Sequence, residues 1–251
     1  MSLPHDLAIS TLDRIIDRFD LQEVTAEGGG PLLPLTSEMA GDVGCMRILH
    51  GGPVHKLVYI GIAVPAIRID SHMLFAFSAP DSLLPHFTLD SVQAPAGPPT
   101  PDTPITNAFH LDLIPRVDLA ANLAYIDTVY GALEKPYAEA KALDGLSEAD
   151  LSRRQWAMMS PYMLASRADD AAFTAIGDTV GTYLDHWFGL CESGIALDTV
   201  VGADLGERDR AHRSALFSAD VDPVWDLVAR MVGRDLSEEM RLNLVDQDVP
   251  A

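Results

Sequence analysis

Imidazoles and carboxylates recur at alternate positions along three stretches of this chain. Arg68, Asp70 and His72 form one set, His86, Thr88 and Asp90 the next, and His110 with Asp112 the third. Side chains alternate faces along a strand, so each set shares a face while apolar neighbours such as Met73, Phe75, Phe87, Leu89, Phe109 and Leu111 take the other. If the three strands are neighbours, the polar sets are expected on one side of one sheet. Five of the eight histidines fall between His50 and His110. A carboxylate beside a partly desolvated imidazole is the usual arrangement for proton transfer near neutral pH.

Other chemistries lack their spacing. No HxH, HExxH or CxxC run suggests a metal site, and no GxSxG turn suggests a nucleophilic serine. Gly28-Gly29-Gly30 precedes Pro31 without the order of a nucleotide loop. The two cysteines, Cys45 and Cys191, read as inert packing residues in a reducing cytoplasm. Seventeen basic against thirty-seven acidic residues give a net charge of −20, which repels nucleic acid and anionic membranes. The longest apolar stretch, Leu57 to Ile67, is interrupted by Gly61 and Pro65 and is too short for a membrane span.

The elements that must carry these residues follow from periodicity. Residues 6–20 have helical spacing. Strands are predicted over Cys45–His50, His55–Val64, Ala66–Ser78, Pro85–Gln93 and Asn107–Ile114, and short turns favour an antiparallel meander. Pro95, Pro98, Pro99, Pro101 and Pro104 make a stiff exposed loop between the last two. Helices are predicted over Leu119–Leu133, from Ser147 with Asp150 at the capping-box position, and over Asp169–Leu190, Arg208–Phe217, Val224–Val232 and 236–245. Trp187 and Trp225 read as core. Helix, then sheet, then helices is an α+β order in which both sheet faces can be covered.

Two motifs add a resemblance. Pro85-His86-Phe87-Thr88-Leu89-Asp90 is followed by Phe109-His110-Leu111-Asp112-Leu113-Ile114-Pro115-Arg116-Val117-Asp118-Leu119. The pair resembles red chlorophyll catabolite reductases, and with them the ferredoxin-dependent bilin reductases. Leu123–Tyr130, Ser160–Ser166 and Asp222-Pro223 add weaker similarity, so that the likeness runs over about residues 55–235.

The resemblance implies a three-layer α/β/α sandwich with a central antiparallel sheet, formed by one domain over 1–251. Its parts would be an N-terminal helix and loop to about 44, a sheet over 45–115 and a mainly helical 116–245. It implies a linear tetrapyrrole between the sheet and the C-terminal helices, reduced without a bound cofactor by a ferredoxin-like electron donor, in a monomer or homodimer. Asp90 maps to the proton-donating acid, His72 is the nearest match to a histidine on the preceding strand, and Asp222 maps to a second acid. A raised carboxyl pKa under an apolar ligand would suit the donor role. His86, Thr88 and His110 are candidate substrate contacts, and Arg68, Arg116, Arg210 and Arg213 are candidates for the substrate's propionates. Asp222 is equally a good helix cap, and Asp112 with Arg116 could simply fix the strand-to-helix corner. A binding protein that keeps the pocket without the chemistry, or an enzyme acting on an unrelated substrate, stays open beside the reductase.

Overall fold

A computed structural model describes residues 2–98, 100–197, 199–202 and 204–250. Pro99, one of the five loop prolines, lies outside them. Helix α1 spans Leu3–Phe19. Strands β1 (Gln22–Val24), β2 (Leu33–Ser37), β3 (Gly41–Gly51), β4 (Val54–Val64), β5 (Ile69–Phe77), β6 (His86–Pro95) and β7 (Ile105–Ile114) follow. Then come α2 (Leu123–Tyr130), α3 (Glu134–Lys141), β8 (Leu146–Glu148), α4 (Arg153–Met158), β9 (Leu164–Ala168), α5 (Asp170–Ser193), α6 (Leu205–Leu216), α7 (Val224–Val232) and α8 (Arg234–Val245).

Among the described residues nine strands form one antiparallel sheet in the order β1-β3-β4-β5-β6-β7-β9-β8, with β2 also paired to β3. Strands β3 to β7 are neighbours in chain order, the expected meander. Both faces are covered. Leu57, Leu74, Phe87 and Leu111 point toward α1, α2 and α5, whereas Val58, Ile60, Phe75 and Phe77 point toward α6, α7 and α8. The near-continuous apolar run of β4 follows from this, because a strand buried on both sides has no wet face to supply polar residues. The fold is α+β, a sheet sandwiched between helical layers.

Several boundaries differ from expectation for local reasons. β5 begins at Ile69 because Pro65–Ile67 make a 3-10 turn closed by Arg68 in the left-handed region, φ 55°. Ser147 does not start a helix. It lies in β8 and pairs with Arg167, and the capping box belongs to Ser152 and Gln155 at the start of α4. Gly145, at φ 86°, supports the turn that sends this segment into the sheet. The segment read as mainly helical therefore also supplies β8 and β9. Both are short, and Leu164-Ala165-Ser166-Arg167-Ala168 lacks the β-branched residues that mark strands. The helix expected from Leu119 starts only at Leu123.

Ser2 caps α1 and ties it to the sheet. Its Oγ accepts from the His5 backbone N–H (3.2 Å) and donates to Asp70 Oδ2 (2.6 Å). Ser2→Ala is expected to cost about 1 kcal/mol, the usual worth of an N-cap, read as a lower urea midpoint at unchanged slope.

Candidate functional site

Strand register decides which polar residues meet. Met73 pairs with Asp90, Asp90 with His110, and His110 with Ala165, so these four share a face. His72 pairs with Ser91 and therefore points the other way. This corrects the expectation that all three polar sets lie together. On β5 the apolar residues, not the polar ones, face the side that holds Asp90.

His72 is buried beneath α1. Its Nε2 contacts Asp70 Oδ1 and its Nδ1 contacts the Tyr59 hydroxyl, each at 2.8 Å. The contact with His72, joined by the bond from Ser2, holds the Asp70 carboxyl below its usual range against the effect of burial. Gly61 is required here, since a Cβ at that position would stand 2.5 Å from the Tyr59 hydroxyl.

The opposite face holds a cavity of about 280 Å³ between the sheet and the helices that follow it. Met73, Phe75, Phe217 and Trp225 give it apolar walls, and Asp90, His110, Gln155 and Asp222 are polar groups on its lining. Trp225, read as core, is thus also cavity wall. The α4 wall is pinned to the turn that carries Asp222: Ser152 Oγ donates to the Val221 carbonyl (3.4 Å) and Arg154 Nη1 to the Asp220 carbonyl (3.1 Å).

His110 Nδ1 lies 3.4 Å from Asp90 Oδ2. Burial by itself would lower the imidazole pKa, but the hydrogen bond to Asp90 and the charges of Asp90, Asp112 and Asp222 outweigh it, so His110 is raised above 6.5. Asp222 is raised by burial and by the Asp90 charge, against the Val224 N–H that its Oδ1 accepts at 3.0 Å. That bond precedes α7, with Pro223 in the N-cap position. Asp112 is fully buried and raised by burial, although the Ser160 N–H (2.9 Å) and hydroxyl both donate to it. Among the described residues, three buried atoms on this sheet face have no hydrogen-bond partner: Thr88 Oγ1, Asp90 Oδ1 and His110 Nε2.

The remaining candidates lie elsewhere. His86, Arg116 and Arg213 do not line the cavity. They surround Asp209 in a buried cluster where their polar atoms are largely engaged. Arg116 also donates to the carbonyl of Pro80 (2.7 Å), and Arg213 to that of Leu244 (2.9 Å) with its guanidinium 3.8 Å above the Phe77 ring. Arg68 reaches the proline loop and donates to the Thr100 and Thr103 carbonyls. Arg210 is exposed on α6. Among the described residues, no lysine or arginine lines the cavity. Arg116 and Arg213 are therefore corrected as candidates for a ligand's carboxylates, because their buried guanidiniums are engaged by Asp209 and backbone carbonyls, whereas Arg68 and Arg210 stand outside the cavity lining.

Sequence reasoning missed Asp209, Gln155 and Ser160. The signal for Asp209 is its spacing: Asp209, Arg213 and Leu216 recur at i, i+4 and i+7 and are the buried face of α6.

α6 also supplies a pH-sensitive contact to the end of α4. His212 Nε2 bonds the Met158 carbonyl at the end of α4 (2.9 Å). Burial, then the Arg208 charge, lower its pKa to about 4 from 6.5. The unfolded chain thus binds more protons between those values, and stability falls as pH drops from 6.5 toward 4. The expected contribution is up to about 3 kcal/mol. His212→Gln should flatten the fall of the urea midpoint across that window, leaving the part due to His86, which burial and Arg116 also hold neutral.

No family model matches the chain, and no curated protein matches it. A solved structure does: phytochromobilin synthase from tomato, as the selenomethionine protein in complex with biliverdin, superposes with a TM-score of 0.73. The alignment covers 97% of this chain and 83% of that one, at 16% identity. At such identity the likeness establishes the shared fold.

Proposed function

We propose that this protein is a reductase of a linear tetrapyrrole, a bilin or a chlorophyll catabolite. Electrons come one at a time from an external ferredoxin-like carrier, and protons come from Asp90 and Asp222 across the cavity. The observation that carries the reading is that Asp90, His110 and Asp222 line an otherwise mainly apolar cavity, with buried Asp90 Oδ1 and His110 Nε2 unpartnered among the described residues. Buried polar groups are ordinarily paired, so this wall is built to meet a ligand. The fold supports the choice of ligand, because it is shared with a protein crystallised with biliverdin.

The chemistry suits the site. Reducing a conjugated double bond by single electrons creates basic sites on the ligand, and a carboxyl whose pKa is raised can protonate them near neutral pH. Asp222 has such a shift. The absence of cations from the lining leaves the ligand's carboxylates outside the cavity, at its open side, where Asp90 is also a third exposed.

Titration of the purified protein with biliverdin tests this. A red-shifted, sharpened visible band that saturates at micromolar ligand is expected. An unchanged spectrum at high micromolar ligand would assign the cavity to another substrate.

A further inference from the structure

The length of the cavity sets how much of a ligand enters it. Its floor runs along β5, β6 and β7. At one end Ser71 pairs with Val92 and Val92 with Ala108, and all three are only half-buried, so the cavity opens there. Four residues deeper on β5, about 13 Å at the rise of a strand, Phe75 is buried. Phe217 closes this deep end. Its ring stands edge-on to Phe75 at 5.1 Å and to Phe77 at 6.2 Å between centroids. Phe77 in turn lies under the Arg213 guanidinium at 3.8 Å, and Arg213 is held by Asp209 and the Leu244 carbonyl. The stop is therefore an aromatic wall backed by a buried ion cluster. Volume gives the capacity. An apolar cavity of about 150 Å³ holds one benzene ring. The 280 Å³ here matches two rings of pyrrole size with their substituents, whereas a linear tetrapyrrole has four.

We propose that the ligand enters end-on, one terminal ring against Phe217 and the next ring at the mouth, with the other two rings outside, so that the cavity recognises a two-ring unit and also binds dipyrrinones. The identity of the ligand rests on the tetrapyrrole reading, and the two-ring limit rests on the cavity alone. The walls agree with this order of rings. The terminal rings of a bilin carry a lactam and small hydrocarbon groups, and the inner rings carry the propionates. The hydrocarbon groups meet Phe75, Ile114, Leu216 and Phe217, all buried at the deep end. The first propionate comes out at the half-buried end, where water solvates it. A tetrapyrrole coiled into a ring would need all four pyrroles inside together, about twice the capacity of the cavity.

Absorption titration of the wild-type protein with two ligands tests this. One is biliverdin, and the other is a dipyrrinone in which a lactam ring is joined to one propionate-bearing ring. Dissociation constants within about tenfold of each other, with each ligand displacing the other, are expected, because the outer rings bury little apolar area. Were all four rings enclosed, removing two would forfeit roughly 160 Å² of buried apolar surface and weaken the dipyrrinone about a thousandfold. That result, with biliverdin still bound, overturns the inference and leaves the tetrapyrrole reading standing. Binding of the dipyrrinone without biliverdin keeps the two-ring cavity and removes the tetrapyrrole reading, and binding of neither removes both. Phe217→Ala should let the ligand move about one ring deeper, tightening biliverdin about tenfold while the dipyrrinone stays within about threefold. Phe217→Leu gives a smaller change in the same direction should the alanine variant not fold. Unchanged biliverdin affinity in a folded variant overturns the assignment of Phe217 as the stop.

Discussion

Asp209→Ala should destabilise the fold by about 3–5 kcal/mol, the usual penalty for removing one partner from a buried ion pair. The Asp209 carboxyl has no exposed surface, and Arg116 and Arg213 are nearly as buried. The Ser78 N–H donates to His86 Nδ1 (3.0 Å), which places the ring hydrogen on Nε2, and this donates to Asp209 Oδ1 (2.7 Å). Gln247 donates to Oδ2 from the C-terminal segment (2.7 Å). One carboxylate thus joins the end of β5, the start of β6, the corner after β7, α6 and the C-terminal segment.

Burial alone would raise the Asp209 pKa, but the His86 bond and the charges around it hold it far below the ordinary carboxylate range. The stabilisation is therefore fully present above the unfolded value near 4, and it is lost only as pH falls through the depressed folded value. At pH 7 the alanine variant leaves two guanidiniums buried with little to neutralise them. Against a total stability of about 5–15 kcal/mol, that loss is a large fraction. Urea unfolding at pH 7 measures it. Asp209→Asn, which keeps acceptors but not the charge, should fall between wild type and alanine. A midpoint for Asp209→Ala within error of wild type would mean that the arginines draw their compensation from the backbone carbonyls instead.

The same cluster shows where the sequence was legible. β4 announces its own environment: with Leu57 and Tyr59 on one side and Val58, Ile60 and Ile62 on the other, both faces must be covered, and they are. The meander follows from turns such as Gly51-Gly52. Which face of one strand meets which face of the next is a property of pairing, and alternation within β5 carries no record of it. His72 and Asp90 look equivalent in the sequence, yet the register places one under α1 and the other on the cavity. Charge is similarly mute about burial. Nothing within Glu207-Arg208-Asp209-Arg210 marks the third residue as buried and the fourth as exposed, until the helical spacing to Leu216 is counted. Asp90 and His110 were expected on one face of the sheet, and they pair across β6 and β7 there. Their meeting with Asp222 on one cavity is not written in the alternation, since it is set by long-range packing of α7 on the sheet.

Asp90→Asn should lower turnover on biliverdin by about 10²–10⁴-fold, the range for removing a general acid or base, while changing ligand affinity only a few-fold. Asparagine has nearly the shape of aspartate and can still hydrogen-bond His110 and a ligand edge, but it carries no charge and cannot relay a proton. The side chain is about a third exposed and makes its described side-chain contact only with His110 at 3.4 Å, so the fold should tolerate the change. The variant also removes the nearest charge favouring the His110 imidazolium, which lowers that group's pKa and shifts any residual activity toward acid pH. That acid shift distinguishes lost chemistry from a disturbed pocket. A pocket that had merely changed shape would bind biliverdin poorly and keep the wild-type pH profile. A binding protein without the chemistry would show no turnover in wild type and unaltered affinity in the variant. Single-turnover reduction with excess enzyme separates these outcomes, because it reads the proton-coupled step without product release. Loss of binding and turnover in equal measure would make Asp90 a positioning residue and move the proton source to Asp222 on the opposite wall.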